Sequence, residues 1–379
     1  MSKIIVLGAG MVGSAMAIDL AKQHEVCLTD LSQAVLDKAK KKCSDLAIQV
    51  LDVTDIAKLQ QNISQHDLVV NAVPGFLGFE TLRSIIEAGM NVIDIAFFSE
   101  NSLELDALAK KHNVTAIVDC GVAPGMDNVI LGYYNESMKL SDFECLVGGL
   151  PKVKKWPFCY KAPFSPIDVI EEYTRPARYV EHSELVVREP LTDCEYVEFD
   201  KVGTLEAFNS DGLRSILFTM PHIPNMKEKT LRYPGHVEYV KVLKESGFFD
   251  TDKIEVSGSL VSPLEFTSKM LFNEWKLGET EEELTVFRVT LTGENARGQK
   301  EEVVYVMHDE YDPETGTSSM ARTTGYTATA AANLFLEGLF SEKGVFPPEL
   351  VGRHKACFDY FLNYLEERDI HYVKSSRLI

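Results

Sequence analysis

Residues 3–20 read KIIVLGAGMVGSAMAIDL. Four apolar residues, Ile4 to Leu7, predict a short buried strand, and the periodicity that starts at Met11 predicts a helix over 11–22. The turn between them, GAGMVG, places Gly8, Gly10 and Gly13 where strand passes into helix. Gly8 permits the tight turn, Gly10 lets backbone approach a pyrophosphate, and Gly13 lets helix and strand pack closely. Met11 and Val12 bring the first helical amides to the same anion. Asp30 ends a second short strand about twenty residues on, where a ribose-binding acid belongs. Its carboxylate accepts from both ribose hydroxyls and repels a 2′-phosphate. Leu31, Ser32 and Gln33 beside it carry no positive charge. The cofactor expected is NAD, ahead of NADP. The other reading of Asp30 is a helix N-terminal acid, a job Ser32 can fill instead.

The alternation continues to residue 118. Further strands are expected over 25–29, 47–51, 68–72, 91–95 and 114–118, with helices over 34–42, 56–63, 79–88 and 103–112. Continuous apolar strands between amphipathic helices imply a parallel sheet covered on both faces, here an α/β doubly wound Rossmann domain. Ligands of such sheets sit at the carboxyl ends of the strands. That rule adds Asp52 on the adenine side, then Asn71, Ala72 and Pro74, then Ala96 and Phe97 near the nicotinamide. Cys120, at the end of the sixth strand, joins the candidate cofactor contacts.

The chain has 379 residues, more than one core usually serves, so two lobes are expected. A net charge of -19 argues against nucleic acid and anionic membrane as partners. The cysteines number seven and none are spaced as C-x-x-C. That points away from a disulfide framework and a metal site and toward a reducing cytoplasm. No apolar run reaches the roughly 20 residues of a spanning helix. Beyond residue 122 the pattern changes. A helix is expected over 126–138, with Asp127 or Asn128 as its cap, then a short strand over 145–147 and a long loop over 151–165. The runs 286–291 and 303–306 flank a glycine-bounded turn and predict a β-hairpin in a mixed or antiparallel sheet. Helices close the chain over 326–339 and 357–367. The expected division is a Rossmann domain over 1–122, an α+β substrate domain over 123–321, and helices over 322–379 that rejoin the first.

The opening GAGMVG, the segments DCGVAPGMDN and VGGLP, and TLRYPGH over 230–236 together resemble the saccharopine dehydrogenase family across nearly the whole chain. GVAPGM, FSPIDVIEEYTRPA over 164–177, GTLEAF over 203–208 and MARTTGYT over 320–327 are similar to the NAD-dependent lysine 6-dehydrogenases within it. Glutamate-forming saccharopine reductases share TLRY-x-G, but this chain has Ala123 and Val147 where they carry Asp and Cys, and it has Asp30. The resemblance implies oxidation of the ε-amine carbon of L-lysine, a substrate pocket lined by the TLRY segment, C-terminal helices packed on the Rossmann lobe, and a homodimer or larger assembly. Rival readings are oxidation of saccharopine or another amino acid, and a dinucleotide sensor without turnover.

Such chemistry needs a neutral amine, a cation for the α-carboxylate, an acid or carbonyls for the α-ammonium, and water. Arg232 offers a fork for the carboxylate, or else forms an ion pair of its own. His236 is either an acid/base group or a structural hydrogen-bonding histidine. Tyr160 orients or deprotonates the amine, or is an ordinary packed tyrosine. Arg322 and Thr323 fall in a shared segment, and Asp94 and Asp127 add acidity. No single general base stands out.

Overall fold

The computed structural model describes residues 1–162, 166–278 and 281–379, and the side chains of 166–168 are not described. The end of the expected loop over 151–165 therefore lies outside the described residues. The N-terminal sheet is entirely parallel. Its strands are β1 (Lys3–Leu7), β2 (Glu25–Asp30), β3 (Ala47–Val50), β4 (Leu68–Asn71), β5 (Val92–Asp94) and β6 (Thr115–Ile117). Their order is β3-β2-β1-β4-β5-β6, with strand Gly344–Phe346 added outside β6. That is the doubly wound arrangement, with its switch point between β1 and β4. Side chains alternate across β1. Ile4 and Val6 join the core on one face, Ile5 and Leu7 the core on the other. Both faces are buried from Ile4 to Leu7, so those four positions are all apolar.

Helix α1 (Met11–Leu20) is also apolar nearly all round, because it is sandwiched. One side meets β1 and the other meets the Ala-rich helix Ser319–Leu336, which returns from far along the chain. Of the stretch 322–379 expected to rejoin this lobe, helix Ser319–Leu336 packs on α1, while Val373–Leu378 pairs into the second sheet. Asp19 of α1 fixes the contact: its buried carboxylate accepts from Arg368 (2.9 Å), Tyr364 (2.8 Å) and Thr329 (2.7 Å).

The second sheet has nine strands and is mixed. Met138–Pro151 runs through its middle, parallel to Asn225–Arg232 and antiparallel to Glu283–Asn295. The predicted hairpin is Glu283–Asn295 with Lys300–Glu310, in register Val289 to Tyr305. The strand expected over 145–147 is in fact fourteen residues long. Its first half alternates exposed polar with buried apolar residues, so a search for a continuous apolar run finds only its end. Strand Val373–Leu378 was not anticipated. It pairs with Lys300–Glu310 at the sheet's edge, all its residues are exposed, and it has no hydrophobic alternation to betray it. Helix Met126–Asn135 crosses Pro348–Gly352 at contact distance. A Cβ on Gly132 would stand 2.0 Å from the Glu349 carbonyl oxygen, and one on Gly352 2.4 Å from that of Val129. No helix among the described residues is long and apolar enough to cross a membrane.

Candidate functional site

The carboxyl ends of the parallel strands face the second sheet across a cavity of about 720 Å³. Its first end is the glycine turn. Gly8 has φ +99°, and a Cβ there would meet the Ala72 carbonyl oxygen at 2.4 Å. A Cβ on Gly13 would stand 2.0 Å from the Gly8 carbonyl, while one on Gly10 would meet nothing within 4 Å. Two glycines are therefore needed by the protein itself, and the third opens onto space for a ligand. No side chain caps the start of α1, so its first amides are free for an anion. Asp30 is tied in place by the N–H groups of Ala9 (2.8 Å) and Ser32 (2.9 Å) and borders the cavity. Gly8, Gly10, Met11, Val12, Gly13, Asp30, Ala72, Pro74, Ala96 and Phe97 all line this space, and together they fit a dinucleotide.

Three expected cofactor contacts lie off the wall. Asp52 is exposed and turns back on Thr54, accepting from its N–H (2.9 Å) and hydroxyl (2.7 Å). Asn71 is fully buried and donates to Asp94 (2.6 Å). Cys120 is fully buried, which pushes its thiol pKa well up. Each ends or follows a strand, but its side chain points into the protein or away from the cavity. Position on a strand gives the end of the sheet, not the direction of the side chain. Asp119, one residue earlier than Cys120, does line the cavity and pairs with buried Arg214 (3.0 Å), whose guanidinium sits over the Phe97 ring (4.6 Å).

The substrate end departs further from expectation. Arg232 does line the cavity, yet most of its donors are taken. Nε donates to the Tyr173 hydroxyl (3.2 Å), Nη1 to the Leu231 carbonyl (3.0 Å), and Nη2 to Tyr160 (3.4 Å) and Glu172 (2.8 Å). That leaves no free fork for a carboxylate, so Arg232 acts as the support of Glu172. Tyr160 is buried beneath that guanidinium, its ring centroid 4.4 Å from it, and burial raises its pKa well above the usual range. It does not reach the cavity wall and is not the base. His236 is buried too. Nδ1–H donates to the Phe158 carbonyl (2.9 Å) and Nε2 accepts from Tyr173 (2.8 Å). Burial, with the Arg232 charge, pushes its pKa down to about 3. It is neutral and structural. Arg322 pairs with Asp309 (3.2 Å) and Thr323 donates to the Ser319 carbonyl (3.0 Å). Neither lines the cavity; their neighbours Met320 and Thr324 do.

Several wall residues were missed in the sequence. Glu171, Glu172 and Arg175 come from helix Pro166–Thr174 and the residue after it; Asp211 precedes a glycine; Glu228 and Thr230 share a strand with Arg232; Lys276 follows helix Pro263–Trp275. The signal for Glu228 was present. Residues 228, 230 and 232 alternate along one strand and so share one face. Asp94 is fully buried against Asn71, and burial pushes its pKa up to about 8. Asp127 accepts from the Gly125 N–H (2.8 Å), and burial pushes its pKa up to about 7. Most wall charges are matched: Glu171 by Arg175, Glu172 by Arg232, Asp211 by Arg178 and Asp119 by Arg214. Among the described residues of the substrate end, Glu228 and Lys276 have no side chain of opposite charge paired with them.

Family profiles agree with this architecture. The saccharopine dehydrogenase NADP binding domain matches residues 4–117, and the saccharopine dehydrogenase C-terminal domain matches residues 121–370. A carboxyaminopropylagmatine dehydrogenase of Synechocystis is 22% identical over 377 residues, 92% of either chain. The NADP-dependent, L-glutamate-forming saccharopine dehydrogenase of Pyricularia oryzae is 25% identical over 265 residues, 66% of this chain and 58% of that enzyme. This chain thus spans less than two thirds of the fungal relative. The apo saccharopine dehydrogenase (L-Glu forming) of Saccharomyces cerevisiae superposes over 100% of both chains, with a TM-score of 0.82 at 20% identity. With both of its parts matched and its dinucleotide cleft in place, the chain belongs to the saccharopine dehydrogenase family of oxidoreductases.

Proposed function

We propose that this protein is an NAD-dependent dehydrogenase that oxidises the amine-bearing carbon of a cationic amino acid, and that L-lysine, oxidised at its ε-carbon, is the substrate. The observation that carries this reading is the pair of unmatched charges at the substrate end. Lys276 suits a carboxylate and Glu228 suits an ammonium, so the wall complements a molecule bearing both. Lys276 takes over the role first expected of Arg232. A bound nicotinamide would accept hydride from the substrate carbon. The chain's own part is to hold that carbon near Ala96 and Phe97, exclude bulk water, and receive the amine's proton. Asp30, with no cation beside it, supports NAD. The open cavity counts against a sensor whose substrate space is filled. Free cysteines support a cytoplasmic setting, and a homo-oligomer follows from the family resemblance.

A second reading is favoured by the names of the relatives. Saccharopine and carboxyaminopropylagmatine are secondary amines, and the fungal enzyme and the N-terminal profile are named for NADP. The same wall accepts a secondary ammonium. Turnover of L-lysine, L-saccharopine and carboxyaminopropylagmatine, each with NAD and with NADP, separates the two. Lysine with NAD alone, with ammonia released, is the expected result. Turnover of a secondary amine with NADP instead would replace the first reading by the second.

A further inference from the structure

Beneath the cavity floor lies a buried group of acids. Asp127 of helix Met126–Asn135, Cys145 of the central strand and Glu228 of its parallel neighbour bring one ligand-type atom each within 4.8 Å of the others. Glu228 also lines the cavity, so the group opens toward bound substrate. Asp127 is fully buried and Glu228 nearly so, and Asp127 Oδ2 and Glu228 Oε2 have no hydrogen-bond partner. Unpaired oxygens of this kind are costly unless they share a proton or wait for a donor. The fold keeps them there. A Cβ on Gly212 would stand 1.9 Å from Glu228 Oε1, so only glycine leaves room for that carboxyl.

We propose that Glu228 is the proton acceptor for the substrate's amine, and that Asp127 behind it shares the proton. The inference rests on the functional reading above. An ammonium entering the cavity gives one proton to the Glu228 carboxylate and becomes a neutral amine. The carbon then loses hydride to the nicotinamide, and its C–N bond becomes a protonated imine. Water adds to that carbon, the C–N bond breaks, and a carbonyl and an ammonium leave. For a primary amine the sum is R–CH2–NH3+ + NAD+ + H2O giving R–CHO + NH4+ + NADH + H+, the last proton being the one taken by Glu228. A secondary amine follows the same steps and releases a primary amine in place of ammonia, so the role does not depend on which substrate is used.

The surroundings favour keeping a shared proton on this pair of carboxyls. Glu228 faces Asp127, Asp211 and Glu172, whose charges oppose its ionisation, and Arg214, whose charge favours it. Tyr179 donates only to its backbone carbonyl. Asp127 faces Glu349, Cys145 and the buried Tyr372 hydroxyl, which has no partner of its own. Burial pushes both carboxyls up, as for two like charges that cannot both ionise in one site.

The test compares wild type, Glu228→Gln and Asp127→Asn, each first checked for cofactor binding by reduced-nicotinamide fluorescence. In Glu228→Gln, kcat should fall about 10²- to 10⁴-fold with cofactor binding kept. In Asp127→Asn, the acidic limb of the kcat/KM profile should move to lower pH, by about one unit, because a neighbouring negative charge is gone. Infrared spectra of the cofactor-free protein give a readout apart from turnover: at neutral pH the protonated-carboxyl band should weaken in either variant. Wild-type turnover with Glu228→Gln within about threefold and an unmoved acidic limb in Asp127→Asn would overturn the role alone. A wild type that oxidises no amine would overturn the functional reading and this role with it. A stoichiometric divalent ion bound by Asp127, Cys145 and Glu228 would also overturn it, since both carboxyls would then be ligands.

Discussion

Asp30 is held by two backbone N–H groups and presents its carboxylate to the cavity. Replacing it with Ala removes charged hydrogen bonds worth about 1.5–3 kcal/mol. KM for NAD should rise about ten- to hundredfold and KM for NADP should fall, by steady-state kinetics; an unchanged ratio would remove the case for NAD. Asp94 predicts a pH effect on stability. Its folded pKa of about 8 lies above the ordinary carboxylate value. The folded state therefore binds the extra proton, and this contribution is complete below about pH 4 and lost as pH rises toward 8. In Asp94→Asn, which mimics the protonated acid, that slope of at most about 1.4 kcal/mol per pH unit should vanish from urea melts taken between pH 5 and 7. His236 has the opposite sign. Its pKa of about 3 lies below the ordinary imidazole value, so its contribution is present above about pH 6.5 and fades on acidification.

Two helices set the position of the buried acids. Met126–Asn135 carries Asp127 and Asn128, and it lies against Pro348–Gly352 through Gly132 and Gly352. Gly132→Ala would drive a methyl group into the Glu349 backbone. A loss of about 1–3 kcal/mol is expected in chemical denaturation, and turnover should fall with it as Asp127 shifts. Wild-type stability in that variant would mean the helices separate freely. Elements also show what sequence could and could not reveal. The glycine turn, the six parallel strands and the Asp30 position follow from local rules, because each needs only its own neighbours. Arg232 was found as a wall residue, but its partners Glu172, Tyr173 and Tyr160 lie 59 to 72 residues away and no local pattern announces them. His236 stayed open between its two readings for the same reason, since burial by distant aromatics decides its charge. Strand Val373–Leu378 was invisible because backbone pairing and contacts to distant residues, Arg377 with Glu302 (2.7 Å) among them, hold this edge strand in place without any hydrophobic alternation.

At the scale of the whole molecule, the Asp19 carboxylate joins the first helix to the last. Arg368→Ala would leave it buried with only the mostly exposed Lys22 (3.1 Å) as its cation, at a cost of up to about 3–5 kcal/mol. Burial alone would raise the Asp19 pKa, but Arg368 and its hydrogen-bond donors hold it below the usual value. The variant's deficit relative to wild type should therefore be fully present above about pH 4 and shrink as acid titrates Asp19. Melting both proteins across that range checks it, and a constant difference would exclude the ion pair as the cause. The chain leaves the parallel sheet after β6, builds most of the second sheet, returns through Ser319–Leu336, adds Gly344–Phe346 to the first sheet, and ends as an edge of the second. Neither half is thus a continuous cassette. A protease that nicks one connecting loop leaves both halves laced together, and an engineer who wishes to exchange the nucleotide half for another enzyme's must transplant two separate stretches of gene.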